Sequence, residues 1–350
     1  VDTLELIRSQ VLPAYGGLDD ARVRPLGRGL INQTYLIERD GNRFVLQRLA
    51  AIFPPTINDN IAAVTDALAQ AGLLTPRLLP TGRGRWCLEL GEDGGVWRLQ
   101  TFVAGATFDR VQSPAQAEAA AALVARFHRA VDGLGHRFRG LREGVHDTPR
   151  HLARLREAMA QHPGHRLGGQ VAALAEAIFR QAQSLPPLQA LPARICHGDL
   201  KLNNILFAGE TAPASQTALC LIDLDTVGPQ SLAYELGDAW RSWCNLSGED
   251  TAVARIDLEV FRASFDSYAR AIGRALDEIE RRALLGSVEW ISLELAARFA
   301  ADALNENYFG WDARRYPGRG EHNLVRGRGQ LALHEAFVTT RAERAAILGV

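Results

Sequence analysis

Lysine is all but missing from this 350-residue chain: of its 39 lysines and arginines a single one, Lys201, is a lysine. Arginine is a planar fork that pairs bidentately, whereas lysine is a compact point charge on a flexible stem, so the two are not interchangeable where one survives alone. A coding bias towards arginine explains the scarcity equally well, and the lysine by itself decides nothing. Cysteine is also sparse. Cys87, Cys196, Cys220 and Cys244 are widely spaced with no CxxC pair, which excludes a zinc-ribbon site and a disulfide framework and reads as buried thiols in a reducing cytoplasm. No apolar run approaches the ~18 residues of a membrane helix, and the opening Val1-Asp2-Thr3-Leu4-Glu5 lacks a basic region followed by an apolar one, so no membrane association is expected. A formal net charge of −1 removes bulk attraction to nucleic acid, and there is no internal repeat or low-complexity tract. With 47% hydrophobic residues, one or two well-filled domains in the cytoplasm are expected.

Hydrophobic spacing sorts the chain into two regions. Leu4, Ile7 and Val11 have helical spacing, and Val23–Leu26 and Gln33–Glu38 read as strands. Asp40-Gly41 predicts a two-residue hairpin turn into a strand over 43–49. Residues 58–70 place Ile61, Val64 and Leu68 on one helical face, and strands are predicted at 85–90 and 96–102, around Gly94-Gly95. From Ala104 onward the pattern is helical: 114–131, opened by Ser113-Pro114, then 149–160, 168–184, 251–272, 275–306 and 329–347. Short strands fall near 194–196, 205–207 and 219–222, and Pro186-Pro187 reads as a connector. Propensity alone says α+β.

Chemistry concentrates in His197-Gly198-Asp199-Leu200-Lys201-Leu202-Asn203-Asn204. Protein kinases carry H-R-D-L-x-x-x-N, in which Asp serves the acceptor hydroxyl and Asn, five residues on, binds metal. Asp199 and Asn204 have that spacing. The strand-like run Leu219-Cys220-Leu221-Ile222 then delivers Asp223, nineteen residues after Asn204. Magnesium takes hard oxygens from one or two carboxylates and fills its octahedron with water and phosphate; Asn204 and Asp223 are the candidate metal ligands. The bland reading, a solvated loop after a strand, does not account for three residues at these spacings.

These strings, with Ile222-Asp223-Leu224-Asp225, resemble the aminoglycoside phosphotransferase and choline kinase-like superfamily. Phe44-Val45-Leu46-Gln47-Arg48, Ile222 to Val227, Gly237-Asp238, Arg298-Phe299 and Tyr308-Phe309 look like its N-acetylhexosamine 1-kinase branch, and the similarity runs from about residue 25 to residue 335. The resemblance implies an α+β, two-lobed protein-kinase-like fold. Residues 1–103 would form a small β-rich nucleotide-binding lobe, and residues 104–350 a helical lobe with the catalytic loop and acceptor site. It implies ATP as co-substrate and Mg2+ as cofactor, with Asp199 as catalytic base. Protein kinases place a lysine two residues after that Asp, which assigns Lys201 to the transferred phosphate.

The nucleotide side is less regular. Gly27 and Gly29, in Gly27-Arg28-Gly29-Leu30-Ile31-Asn32, would let backbone N–H groups approach phosphate, although a glycine-rich turn is more often only a turn. The lobe connection puts Gln100 and Phe102 at the adenine. Where a kinase strand carries its lysine, Val45-Leu46-Gln47-Arg48 has none, and the following helix offers Asp59 and Asp66 but no glutamate. Alternation sends Gln47 and Arg48 to opposite faces, so one of the two is expected to face the nucleotide.

For the acceptor, the candidates are Asn32, Asp238, Arg298, Asp302, Asn305 and Tyr308. Arg298, Asp302 and Asn305 share a helical face, and a hexose needs short polar groups plus an aromatic ring. A solvated helix face is the competing reading, and Asp238 with Arg241 reads at least as well as a structural ion pair. His162-Pro163-Gly164-His165 reads as exposed loop. Residues 298–328 carry six arginines against four acids, which suits a neutral amino sugar better than cationic aminoglycosides or choline. The leading expectation is phosphotransfer to a hydroxyl, the anomeric one, of an N-acetylhexosamine such as N-acetylglucosamine or N-acetylgalactosamine. Alternatives are a same-fold kinase of another small hydroxyl compound (aminoglycoside, homoserine or choline type) and a nucleotide-binding pseudokinase. The oligomeric state is not legible.

Overall fold

The computed structural model describes residues 2–27, 31–142, 144–248, 251–307 and 310–350. The chain opens with α1 (Thr3–Leu6), which runs through a π turn over Ile7–Val11 into α2 (Leu12–Tyr15). Asp2 caps the start by accepting the Leu4 N–H at 3.2 Å. Strands β1 (Arg22–Pro25), β2 (Gln33–Arg39) and β3 (Asn42–Arg48) follow, then α3 (Ile57–Gln70), β4 (Leu78–Leu79), β5 (Leu88–Glu89), α4 (Gly91–Gly94) and β6 (Val96–Thr101). The sheet is antiparallel in the order β1-β2-β3-β6-β4, with β5 on β6. The expected hairpin turn is present, with φ of 49° at Asp40 and 78° at Gly41. Leu6, Ile7, Val11 and Leu12 pack with Ile37, Leu46, Trp97 and Leu99 against the sheet. The strand expected at 85–90 shrinks to β5, because Trp86 packs instead against the main core.

The larger helical part begins with α5 (Pro114–Val131), where Ser113 Oγ accepts the Gln116 N–H at 3.3 Å. It continues with α6 (Thr148–Gln161), α7 (Gly168–Ala182), β7 (Ala193–Cys196), β8 (Ile205–Phe207), β9 (Ala218–Leu221), β10 (Gly228–Ser231), α8 (Leu232–Trp243), α9 (Leu258–Ala271), α10 (Glu278–Asn305), α11 (Arg319–Thr339) and α12 (Arg341–Leu348). β7 pairs with β10 and β8 with β9, both antiparallel. β10 was not expected. Gly228-Pro229-Gln230-Ser231 has little strand propensity, and its pairing with β7 creates it. Helix α9 starts at Leu258 rather than 251, because Asp257 accepts the N–H groups of Glu259 and Val260. α11 starts well before the expected 329 and ends at Thr339, with α12 beginning at Arg341. Its Gly327 lies where a Cβ would come within 3.1 Å of Leu174 and 3.4 Å of the Ala300 N, so this glycine serves close helix packing rather than breaking the helix.

Together these elements make the mixed α+β architecture that was expected, a sheet lobe followed by a larger helical one. α10, whose N-terminus carries an Asp277/Glu280 capping box, runs through the middle of the helical part. No helix among the described residues is long and apolar enough to cross a membrane.

Candidate active site

The segment between β7 and β8 is held by its own backbone. Gly198 has φ of 82°, and a Cβ there would lie 2.5 Å from Gln230 Nε2 and 2.7 Å from the Thr226 carbonyl, so only glycine fits. His197 Nε2–H donates to the Ile222 carbonyl at 2.8 Å and its Nδ1 accepts the Asp199 N–H at 3.3 Å. One imidazole thereby ties the catalytic loop to the strand that delivers Asp223. Asn204 Nδ2 donates to the Asp199 carbonyl at 2.8 Å and to Asp199 Oδ2 at 3.1 Å, which leaves its carbonyl oxygen as the group it offers a cation. Lys201 Nζ lies 3.0 Å from the same Oδ2. Both donors therefore occupy the same carboxylate oxygen of Asp199.

Asp223 stands beside this loop in the left-handed region, with φ of 62°. A non-glycine residue there costs about 1–3 kcal/mol and persists only when its surroundings over-determine it. The Ile222 N–H donates to the Asn204 carbonyl at 2.9 Å, so the two candidate ligands sit at the adjoining ends of the paired strands β8 and β9. The Asp223 carboxylate reaches solvent while protein crowds its other sides. That crowding, with Asp225 and Asp199 nearby, pushes its pKa upward against the opposing charges of Arg98 and Lys201, and solvent contact tempers the push. The Asp223 carboxylate and the Asn204 carboxamide oxygen are hard oxygens of the kind that suits a magnesium ion.

The strand that lacks a lysine is answered from its neighbour. Gln47 pairs in register with Arg98 of β6, and its Oε1 accepts from Arg98 Nε (2.9 Å), Arg98 Nη2 (2.6 Å) and Gln100 Nε2 (3.0 Å). Arg98, only 2% exposed, forms an ion pair with Asp225. Arg98, Gln100 and Asp223 line a small cavity with Ile61, Pro76, Ile222 and Leu224. Arg48 does not share this face; alternation turns it to the Asp93 carbonyl at 2.8 Å. Asn32, expected at the acceptor, donates instead to Asp225 Oδ2 at 2.6 Å and accepts the Ala50 N–H at 2.9 Å, which engages both ends of its amide. Phe102 lies under the Arg43 guanidinium, 4.3 Å from its ring centroid. Gly27, with φ of 72°, follows β1 in the turn towards β2, whereas Gly29 and Tyr308 fall outside the described residues.

Behind the loop, α8 supplies the brace. Glu235, 2% exposed, accepts the His197 N–H on Oε1 at 2.8 Å and the Gly198 N–H on Oε2 at 2.9 Å. His128 Nε2 lies 3.2 Å from Oε1, and its Nδ1 is 2.9 Å from the Tyr268 hydroxyl. Burial pushes the Glu235 carboxyl up, but the His128 hydrogen bond, the neighbouring imidazoles and the Gly198 N–H outweigh it and hold the pKa below the ordinary glutamate range. Trp243 Nε1–H adds a bond to the Leu200 carbonyl at 2.8 Å. Sequence reasoning missed Glu235, Arg98 and Asp225. Asp225 lay inside a string that drew attention for another reason, while nothing local marked Arg98.

The acceptor candidates separate. Asp238 accepts from Arg241 Nε at 2.9 Å and is the structural ion pair rather than a polar group open to a ligand. Arg298, Asp302 and Asn305 do share a face of α10. Asn305 Oδ1 lies 3.0 Å from His162 Nε2, and Asp302 has its pKa raised by burial, opposed by Arg298, Arg154 and His151. The Asn305 contact and the groups facing Asp302 lie on α6, on α10 itself and in the turn after α6. His162 and His165 are not exposed loop either; they dock on the end of α10, His165 at 3.1 Å from Glu306 Oε1. The structure therefore brings Asp199, Lys201, Asn204 and Asp223 together.

The fold recurs in solved structures of low sequence identity. One is the microcompartment-associated aminopropanol kinase, 18% identical with a TM-score of 0.64 over 97% of this chain and 98% of that one. Others are an aminoglycoside phosphotransferase from Alicyclobacillus acidocaldarius, 16% identical with a TM-score of 0.59 over 92% of each chain, and a choline/ethanolamine kinase family protein from Mesorhizobium loti, 18% identical with a TM-score of 0.56 over 99% and 97%. At such identities the likeness is one of fold. The model of the phosphotransferase enzyme family matches residues 22–285, from β1 through the catalytic loop, Asp223 and Glu235 into α10. By that match the chain belongs to the phosphotransferase enzyme family and is a small-molecule kinase whose acceptor is a hydroxyl group.

Proposed function

We propose that the chain is an ATP- and Mg2+-dependent kinase that phosphorylates the anomeric hydroxyl of an N-acetylhexosamine such as N-acetylglucosamine or N-acetylgalactosamine. The observation that carries the chemistry is the Asp199 carboxylate, one oxygen held by Lys201 and Asn204, beside Asp223. Asp199 orients the acceptor hydroxyl and takes its proton as the new bond forms. Lys201 meets the charge that builds on the transferred phosphoryl oxygens. Asn204 and Asp223 would hold a magnesium ion, which when bound would supply positive charge against the phosphate oxygens. Residues 1–103 act as the nucleotide lobe and residues 104–350 bring the acceptor, in a cytoplasmic enzyme that needs neither nucleic acid nor membrane.

The sugar rests on different support: the hexosamine-branch strings and the excess of arginine over acid across residues 298–328. An aminoglycoside or an aminopropanol carries a cationic amine and is better matched by an acidic pocket. The engagement of Asn305 by His162 and the burial of Asp302 beside α6 favour, as second reading, a same-fold kinase of another small hydroxyl compound. A pseudokinase does not account for the assembled Asp199, Asn204 and Asp223. The deciding experiment incubates the protein with Mg·ATP and a panel of N-acetylhexosamines, plain hexoses, aminoglycosides, homoserine and choline, reading ADP release and then the product by phosphorus NMR. ADP release with an N-acetylhexosamine and a sugar 1-phosphate resonance are expected; efficient turnover of an aminoglycoside overturns the sugar and leaves the kinase.

A further inference from the structure

A protein kinase ties its sheet to the phosphate end of the nucleotide with a strand lysine and a helix glutamate. Here Gln47 holds the strand position, and Asp66 of α3 pairs with Arg77 instead. The polar connection is made one strand over. Arg98, gripped by Gln47, pairs with Asp225, and Asp225 also accepts from Asn32, 193 positions away. Residues of the β1–β2 connection and β6 thus meet on one carboxylate, two residues past Asp223, and β3 joins them through the grip of Gln47 on Arg98. A buried ion pair is weak evidence of stability, since desolvation offsets most of its attraction. Its position is more informative. Asp223 holds a left-handed backbone that needs constraint from both sides. On one side Ile222 is bonded to His197 and Asn204; on the other Asp225 is bonded to Arg98 and Asn32.

We propose that Arg98 and Asp225 are the positioning pair of the metal-and-phosphate end of the nucleotide site, in place of a strand lysine and helix acid. Arg98 anchors Asp225 to the sheet, and Asp225 fixes where the Asp223 carboxylate sits. The inference deepens the kinase reading above and rests on it.

The test measures binding by calorimetry for Mg·ADP, for ADP in excess chelator and for adenosine, in wild type, Arg98→Met, Arg98→Lys and the double variant Arg98→Met/Asp225→Asn. The double variant removes both charges, so it carries the test where Arg98→Met alone leaves Asp225 buried and unpaired and fails to fold. Removing residues that orient a metal ligand typically lowers affinity about 10- to 100-fold, so Mg·ADP should weaken by that amount in the double variant while adenosine shifts by less than about twofold. Arg98→Lys should recover part of the loss. A folded double variant that binds Mg·ADP like wild type overturns the proposal, as does equal weakening of Mg·ADP and adenosine, which marks a purely structural pair. Wild-type protein that binds no Mg·ADP at all overturns the kinase reading with it.

Discussion

Glu235→Gln isolates the brace behind the catalytic loop, because it keeps the size of the side chain and removes its charge and one acceptor oxygen. In the wild type the two carboxylate oxygens take the His197 and Gly198 N–H groups at 2.8 and 2.9 Å, with His128 3.2 Å away. A glutamine satisfies one of the two backbone donors and turns an NH2 towards the other. Hydrogen bonds to a charged acceptor are worth ~1.5–3 kcal/mol and an unmet buried donor costs ~1–3 kcal/mol. The two contributions together give an expected loss of about 3–5 kcal/mol in guanidinium unfolding. Because Gly198 precedes Asp199, release of this contact displaces the base; a 1 Å misplacement costs on the order of 100-fold in rate. The acid limb adds a second signature. Glu235 has a depressed pKa in the folded state, so its contribution is present above the unfolded-state value and is lost as pH falls through the folded one. Wild type should therefore lose stability in that window more steeply than the glutamine variant. Should Glu235→Gln unfold within about 0.5 kcal/mol of wild type and phosphorylate at the same rate, the anchoring argument is wrong.

Asp199→Asn should abolish turnover with Mg·ATP binding largely intact, since the base serves the acceptor and not the nucleotide; turnover near the wild-type rate would remove Asp199 from catalysis. Lys201→Ala should lower kcat more than it raises the KM for ATP, and Lys201→Arg should rescue only in part, because a bulkier fork replaces a point charge 3.0 Å from Asp199. Full activity in the arginine variant would make the lone lysine an accident of drift. Asn204→Ala and Asp223→Ala should weaken Mg·ADP binding about 10- to 100-fold, and an unchanged metal titration would exclude them as ligands. Asp302→Ala and Asn305→Ala should raise the acceptor KM and leave ATP affinity unchanged if the α10 face serves the sugar; unchanged acceptor kinetics assign it to packing against α6.

Local sequence determined a good deal. The proposed base and the proposed metal ligand, five residues apart, can be read from one loop, because that spacing is set by the chain itself. The Asp40-Gly41 turn needed nothing beyond its own dihedral preferences, and the α+β order followed from hydrophobic period and helix caps. What could not be read locally depends on neighbours that meet only in three dimensions. β10 is a strand because β7 lies beside it, and Gly327 sits inside a helix because another helix passes close by. The tertiary structure alone decided that Arg98 and not Arg48 faces Gln47, and that Asn32 belongs with Asp225. It also decided that Glu235 grips the loop from behind. Each of these is a buried charge or donor that has to find its partner, and the identity of that partner is a property of packing rather than of spacing.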